Sequence, residues 1–184
     1  INAYLGFYIA GEYRKRLFTF IGALTKDIGG WGIPALGKQA EGKSTIQETT
    51  LNLFPEQMVA RLNTATEAYL YRLSQTNPRY FDRKIVYFGD LGDLGDLSEE
   101  QDEEKRKVFE VFKQLLTEGI VRKGLVLSLE DEEGKLEALP AELVLEGRPT
   151  IMFSGISAKL EGQFESRCIP WSPTTSPKQN LVVK

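Results

Sequence analysis

The nine residues GKQAEGKST, 37 to 45, constrain this chain more than any other stretch. Gly37, Gly42, Lys43 and Ser44 satisfy G-x-x-x-x-G-K-[ST] at every position. Chance supplies such a match in roughly one chain of this length per hundred. The pattern dictates local structure on both sides. Its glycines let the backbone curl with successive N–H groups facing inward, and a helix opening inside the motif adds its own unbonded N–H groups. The apolar run Ile33 to Leu36 stands directly before the loop, and the helix-compatible stretch Ser44 to Leu53, closed by Phe54-Pro55, directly after it. A strand, tight loop and helix in that order begin a parallel β-α-β unit, so a sheet covered on both faces is implied.

The rest of the chain continues that alternation. Apolar residues recur at helical spacing from Tyr4 to Leu24, interrupted at Gly11, and KDIGGWG (26 to 32) reads as a loop. Met58 to Leu62 is a short strand candidate. Asn63 or Thr64 then caps a helix from Ala65 to about Gln75, with Glu67 at capping-box spacing from Thr64. KIVYF (84 to 88) reads as a buried strand and GDLGDLGDL (89 to 97) as a turn. Ser98 opens a long helix to about Glu118, acidic at its positive dipole end, with Val108, Phe109, Val111, Phe112, Leu115 and Leu116 on its apolar face. Val121 to Leu129 and Lys135 to Leu145 form hairpin arms turning at DEEG; Thr150 to Phe153 and CIPW (168 to 171) are the last strand candidates. The expectation is a three-layer α/β domain with a mostly parallel sheet. An N-terminal helical segment covers 1–30, the core 31–175 with an inserted hairpin at 120–146, and a tail or the start of a missing lid 176–184.

Composition removes several chemistries. The 184 residues include no histidine and one cysteine, Cys168. Imidazole metal sites, histidine-based triads, cysteine zinc clusters and an intrachain disulfide are therefore excluded. A net charge of -3 argues against coating nucleic acid by charge alone and leaves a local basic patch open. No apolar run approaches the ~20 residues of a membrane span. The N-terminus places its basic residues after its apolar stretch, the reverse of a signal peptide. The reading is a cytoplasmic chain without a membrane partner, and its start at Ile1 suggests a piece of something longer.

The motif's chemistry is phosphate binding. Backbone N–H groups of Gly37, Lys38, Gln39, Ala40, Glu41, Gly42, Lys43, Ser44 and Thr45 would surround phosphate oxygens at a positive helix end. Lys43 would reach the β- and γ-phosphates, and the Ser44 hydroxyl would face Mg2+. Such a loop calls for an acid at the end of a neighbouring buried strand, and KIVYFGD is the candidate. Where an acidic pair is usual, Gly89 takes the first position and Asp90 the second. Asp90 is the candidate for Mg2+ or for the attacking water, while Asp93 and Asp96 read as a solvated acidic turn. TIMFSG (150 to 155) ends in Ser154, either a γ-phosphate or water contact or an ordinary strand-end serine. Arg167, before the last strand, is either a surface arginine or one that reaches a neighbouring subunit's nucleotide and stabilises transition-state charge.

Taken together, the phosphate loop, KIVYFGD, TIMFSG and FESRC resemble an AAA+ ATPase core over about residues 30 to 172. The resemblance implies a five-stranded sheet of order 5-1-4-3-2, with ATP bound between subunits. Hairpin 120–146, just before TIMFSG, looks like the pre-sensor hairpin branch, which includes hexameric helicases. GKSTIQETTLNLFPEQMVARLNTATEAYLYRL with KIVYFGDLGD also looks like the helicase-like ATPase domains attached to primases of phages and mobile elements. The chain departs from the pattern at Gly89, in the absence of the usual helical lid after CIPW, and in the acidic apex DEEG. Arg122, Lys123 and Lys135 lie lower on the arms, where they could line a channel.

The resemblance implies an ATP- and Mg2+-dependent motor on single-stranded or forked DNA, built as a homo-oligomeric, hexameric ring. Alternatives are an ATPase that loads or remodels a protein, and a nucleotide-gated interaction module with little turnover, which Gly89 favours. No N-K-x-D motif follows the loop, as guanine reading would require, and the arginine-rich lid of small-molecule kinases is missing. Trp31 and Trp171 are read as packing residues rather than base-stacking platforms.

Overall fold

The apolar runs on either side of the glycine-rich loop become neighbours in one parallel sheet. In the computed structural model, residues 1, 3–5, 12–38, 41–62, 65–91, 100–130, 136–156 and 162–173 are described, with backbone alone at 100–102, 127–130, 136–139 and 162–163. The elements are α1 (Tyr13–Leu24), β1 (Gly32–Leu36), α2 (Lys43–Leu51), β2 (Val59–Arg61), α3 (Glu67–Thr76), β3 (Ile85–Asp90), α4 (Glu100–Glu118), β4 (Ile120–Glu130), β5 (Leu136–Glu146), β6 (Thr150–Gly155) and α5 (Gly162–Glu165). The Gly11 break, the Asn63/Thr64 cap, Asp93, Asp96, Ser98, the DEEG apex, Lys135 and the tail 176–184 lie outside the described residues.

Strand order is β1-β6-β3-β2, every pair parallel, with β4 and β5 forming a separate antiparallel hairpin between α4 and β6. The strands are buried on both sides because alternate residues feed two cores. Ile33, Ala35, Ile85, Tyr87 and Met152 pack with Ala23 of α1 and with Ile46 and Leu51 of α2. Val86, Phe88, Ile151 and Phe153 meet Leu70 of α3, the apolar face of α4, and Val121, Leu143 and Leu145 at the hairpin base. Phe81–Phe112 and Phe88–Phe109 meet edge to face, at 4.7 and 5.4 Å, adding to area burial. The three-layer arrangement is thus present. Trp171 is core and Trp31 half-buried.

The expected fifth strand of the order 5-1-4-3-2 is reduced to two bridges beside β1, Gly32 with Cys168 and Ala35 with Trp171, so among the described residues the sheet has four strands rather than five. The cause is covalent. Gly32 N–H donates to Arg167 O at 2.8 Å, Ile169 N–H to Gly32 O at 2.8 Å, Trp171 N–H to Pro34 O at 3.0 Å and Leu36 N–H to Trp171 O at 2.8 Å. The intervening rung needs an N–H on Pro34, which proline does not have.

Helix α3 also begins differently. Thr66 caps it, accepting the Tyr69 N–H at 3.2 Å, which leaves Glu67 in the first turn rather than three residues inside. The Glu67 carboxylate pairs instead with Lys123 of β4. Helix α1 buries Arg16, Thr19, Gly22 and Ala23 and leaves Tyr13, Ile21 and Leu24 exposed.

Candidate functional site: the loop between β1 and α2

The chain leaves β1 at Gly37, whose N–H donates to Gly155 O at 3.1 Å and so ties the loop's start to the end of β6. A Cβ on Gly37 would stand 2.4 Å from Glu41 Oε2, so a side chain there would have to push the Glu41 carboxylate aside. Gly42 is the N-cap of α2 with φ 77 and ψ 14, a left-handed conformation that glycine adopts without steric cost. No side chain caps α2. Lys43, the first helical residue, is 4% exposed, and its ammonium donates to Gly37 O at 2.6 Å and Lys38 O at 2.5 Å. The lysine is therefore folded into the concavity of its own loop. Those partners are neutral carbonyls, so its charge remains available to an anion. Lys38 and Thr45 are exposed and Glu41 half-buried, whereas Gln39 and Ala40 lie outside the described residues.

One residue on, Ser44 Oγ lies 3.2 Å from Ser154 Oγ at the end of β6. Ser154 is fully buried and its hydroxyl points to Gly89 O at 3.5 Å. Asp90 ends β3, exposed and in register with Ser154, while Leu91 N–H donates to Ser154 O at 2.8 Å. Lys105 of α4 donates to the Asp90 backbone carbonyl. Lys43, Ser44, Ser154 and Asp90 thus gather at the C-terminal ends of three adjacent strands, where open parallel sheets bind ligands.

Gly89 has a structural reason for its place. It is buried with φ 71, and the β3–β6 register shifts between Tyr87 and Asp90. An L-residue at a left-handed bulge is strained, so the position that would carry a first acid accepts glycine instead.

Arg167 is not brought to the loop. It is exposed, and its backbone carbonyl holds Gly32 N–H at the opposite end of β1. Of the basic hairpin residues, Arg122 is exposed and Lys123 is the partner of Glu67. Both line a cleft of about 530 Å³ against Lys113, Thr117 and Phe164, away from the loop.

Three residues near the loop escaped the sequence reading. Gln47 is fully buried, and its amide donates to Ile33 O at 3.2 Å and Phe153 O at 2.9 Å, pinning α2 across β1 and β6. Tyr87, 1% exposed, donates its phenol proton to Glu48 Oε1 at 3.3 Å. Burial drives the phenol's pKa well above its ordinary value, and Glu48 adds to this; hydrogen bonding from Ser44 opposes it. One signal existed: a tyrosine in an otherwise aliphatic and phenylalanine strand needs a partner for its hydroxyl.

The donor set suits a hard cation delivered with phosphate. It consists of serine hydroxyls, a backbone carbonyl and one strand-end acid, all oxygen. Among the described residues, no group of three or more His, Cys, Asp or Glu could hold a metal ion. Mg2+ binds through few protein ligands, waters and substrate phosphates, so the residues present fit it at Ser44. Among the described residues, no helix is long and apolar enough to cross a membrane.

No protein-family model and no curated protein matches the chain. Among solved structures it is similar to JCV helicase. A ligand-bound form is 14% identical with a TM-score of 0.47, covering 94% of this chain and 44% of that one. A second X-ray structure of that helicase is 11% identical with a TM-score of 0.43, covering 94% and 49%. The chain is also similar to the SCCmec type IV Cch active helicase, at 11% identity and a TM-score of 0.43, covering 91% and 30%. It spans less than half the length of each. The strand–loop–helix order at β1 and α2 stands on this chain's own geometry.

Proposed function

We propose that this chain is an ATP-binding and hydrolysing motor domain that acts on single-stranded or forked DNA within a homo-oligomeric ring. The observation that carries the nucleotide reading is the buried Lys43 ammonium inside the loop, one residue before a Ser44 hydroxyl held against Ser154. Mg2+ bound with the nucleotide would neutralise phosphate charge as it develops. The chain's own part is to wrap the phosphates in backbone N–H groups, place the Lys43 charge on them and offer the Ser44 and Ser154 hydroxyls. Asp90, at the end of β3, is the acid assigned to the metal or water side. The ring rests on Arg167, which is exposed at the far end of β1 and would meet a neighbour's nucleotide rather than its own. DNA as substrate rests on the exposed Arg122 and on the hairpin's resemblance.

Gly89 favours a second reading, a nucleotide-gated interaction module with slow turnover, because the first acid is absent. Steady-state ATP hydrolysis with and without single-stranded DNA, with Lys43→Ala as the blank, separates them. DNA-stimulated turnover that vanishes in the blank supports the motor. Lysine-dependent turnover blind to DNA supports a protein remodeller, and ATP binding without turnover supports the gated module. No ATP binding at all would refute the phosphate-loop assignment.

A further inference from the structure

We propose that the outward apolar stripe of α1 is a contact between two copies of this chain, paired two-fold and antiparallel. The inference goes beyond the nucleotide reading and does not depend on it.

Helix α1 is amphipathic in the reverse sense. Tyr13, Leu17, Ile21 and Leu24 recur at helical spacing, and Ile28 continues them in the turn that follows. Tyr13 is 61%, Ile21 55%, Leu24 43% and Ile28 81% exposed, with Leu17 half-buried. The face turned to the sheet carries Arg16, Thr19, Gly22 and Ala23 instead. Gly22 fixes that choice. A Cβ added to it would stand 2.4 Å from Cδ1 of Ile33, itself fully buried, so larger side chains find no room beneath α1 without repacking the core. Turning the helix over therefore does not bury the stripe, and it is covered from outside.

Area, spacing and charge choose a second copy as the cover. The exposed parts of the stripe amount to roughly 450 Å², close to the apolar share of the about 800 Å² that each partner buries in a stable interface. The stripe also reads nearly alike from either end, as an isologous contact requires. In antiparallel pairing Tyr13 stands level with the partner's Ile28, Leu17 with the partner's Leu24, and Ile21 beside the two-fold axis. Arg14 and Lys15 lie at the start of α1 and Asp27 at the far end, where its side chain stays 57% exposed while bonded to buried Lys26 at 2.6 Å. Antiparallel pairing brings the basic end of one copy to the acidic end of the other, whereas parallel pairing sets like ends together. An anionic membrane surface, which also takes a basic amphipathic helix, is disfavoured by that same acid.

Sedimentation velocity of the full chain across micromolar concentrations, without nucleotide or DNA, measures the association. Wild type is expected to dimerise with concentration. Ile21→Glu is expected to weaken the dimer by more than about a hundredfold, because each dimer loses two buried isoleucines and gains two unpaired carboxylates. Its far-ultraviolet circular dichroism stays at wild-type values, since position 21 is exposed in the single chain. A monomeric wild type overturns the proposal, and so does association that survives Ile21→Glu. Cysteine crosslinking tests the geometry, with wild type and its half-buried Cys168 as the control. Ile21→Cys should form a disulfide-linked dimer, and Tyr13→Cys only when mixed with Ile28→Cys. Tyr13→Cys that links to itself overturns the antiparallel pairing, and this readout stands even if Ile21→Glu does not fold. Binding of a monomeric wild type to anionic phospholipid vesicles would assign the stripe to a membrane surface and overturn the second copy.

Discussion

Replacing Gly89 by alanine tests whether backbone conformation explains the missing acid. Gly89 holds φ 71 within a buried strand, at the register shift between Tyr87 and Asp90. A left-handed conformation costs an L-residue about 1–2 kcal/mol. Alanine also narrows the unfolded ensemble, which offsets about 0.4–1 kcal/mol. The net expectation is a loss of about 1 kcal/mol, or about 2–4 °C in melting temperature for a domain of this size. Gly89→Asp should lose more. Its side chain tolerates the left-handed region somewhat better, but its carboxylate must be desolvated at a buried position. Gly124→Ala is the matched control, because that glycine sits in β4 without a positive φ, and a Cβ added to it would meet nothing within 4 Å. There alanine should be neutral or stabilise by about 0.5–1 kcal/mol. Thermal unfolding followed by circular dichroism, with all four proteins at one concentration, gives the comparison. A Gly89→Ala protein that melts with the wild type would refute the bulge as the reason for the glycine.

Three further outcomes are expected. Lys43→Ala should weaken ATP binding by more than about tenfold in titration calorimetry, since it removes the loop's buried cation while the loop glycines stay. Arg167→Ala should leave single-subunit ATP affinity unchanged and lower turnover of an assembly by on the order of 10³, with mixed assemblies inhibited in proportion to the variant added; full turnover would remove the arginine from the reaction. Burial, then Glu165, pushes the Cys168 thiol from 9.0 up to about 12, and Tyr87 is likewise raised. Both stay protonated in the folded chain where the unfolded chain would ionise, so their contribution is complete below pH 9 and is lost as pH rises toward 12. The urea midpoint should therefore fall above that lower pH, and a rise there would contradict the assignment.

What was legible in the sequence was whatever a local rule dictates. The loop pattern located β1 and α2 to within a residue or two, because its glycines and lysine tolerate few other backbones. KIVYF and the α4 face were legible from the length of apolar runs and their period. The hairpin was legible from two arms, Val121 to Leu129 and Lys135 to Leu145, flanking the turn residues DEEG. The failures came where a distant partner decides. Thr66 rather than Thr64 caps α3, and Glu67 is engaged by Lys123, 56 residues away in sequence. The missing rung at Pro34 requires knowing which neighbour its N–H would have faced. Tyr87 looked like core because its ring is core; only its oxygen finds a polar partner, Glu48 on α2.

The same covalent facts that shorten the fifth strand also fix where Arg167 can act. Its carbonyl is held by Gly32 N–H at the start of β1, and the loop begins after Leu36 at the other end. At about 3.3 Å per residue, the four steps between Gly32 and Leu36 separate the two by roughly 13 Å of strand. Trp171, clamped between Pro34 and Leu36 and packed in the core, prevents the segment from sliding along β1 to close that gap. An arginine so placed that acts on a γ-phosphate acts on one carried by another subunit. An isologous pair would have to bury both ends of β1 in one patch to satisfy both sites. A head-to-tail contact needs only one end of each subunit per interface, and repeated with closure it gives a ring in which every loop meets an arginine.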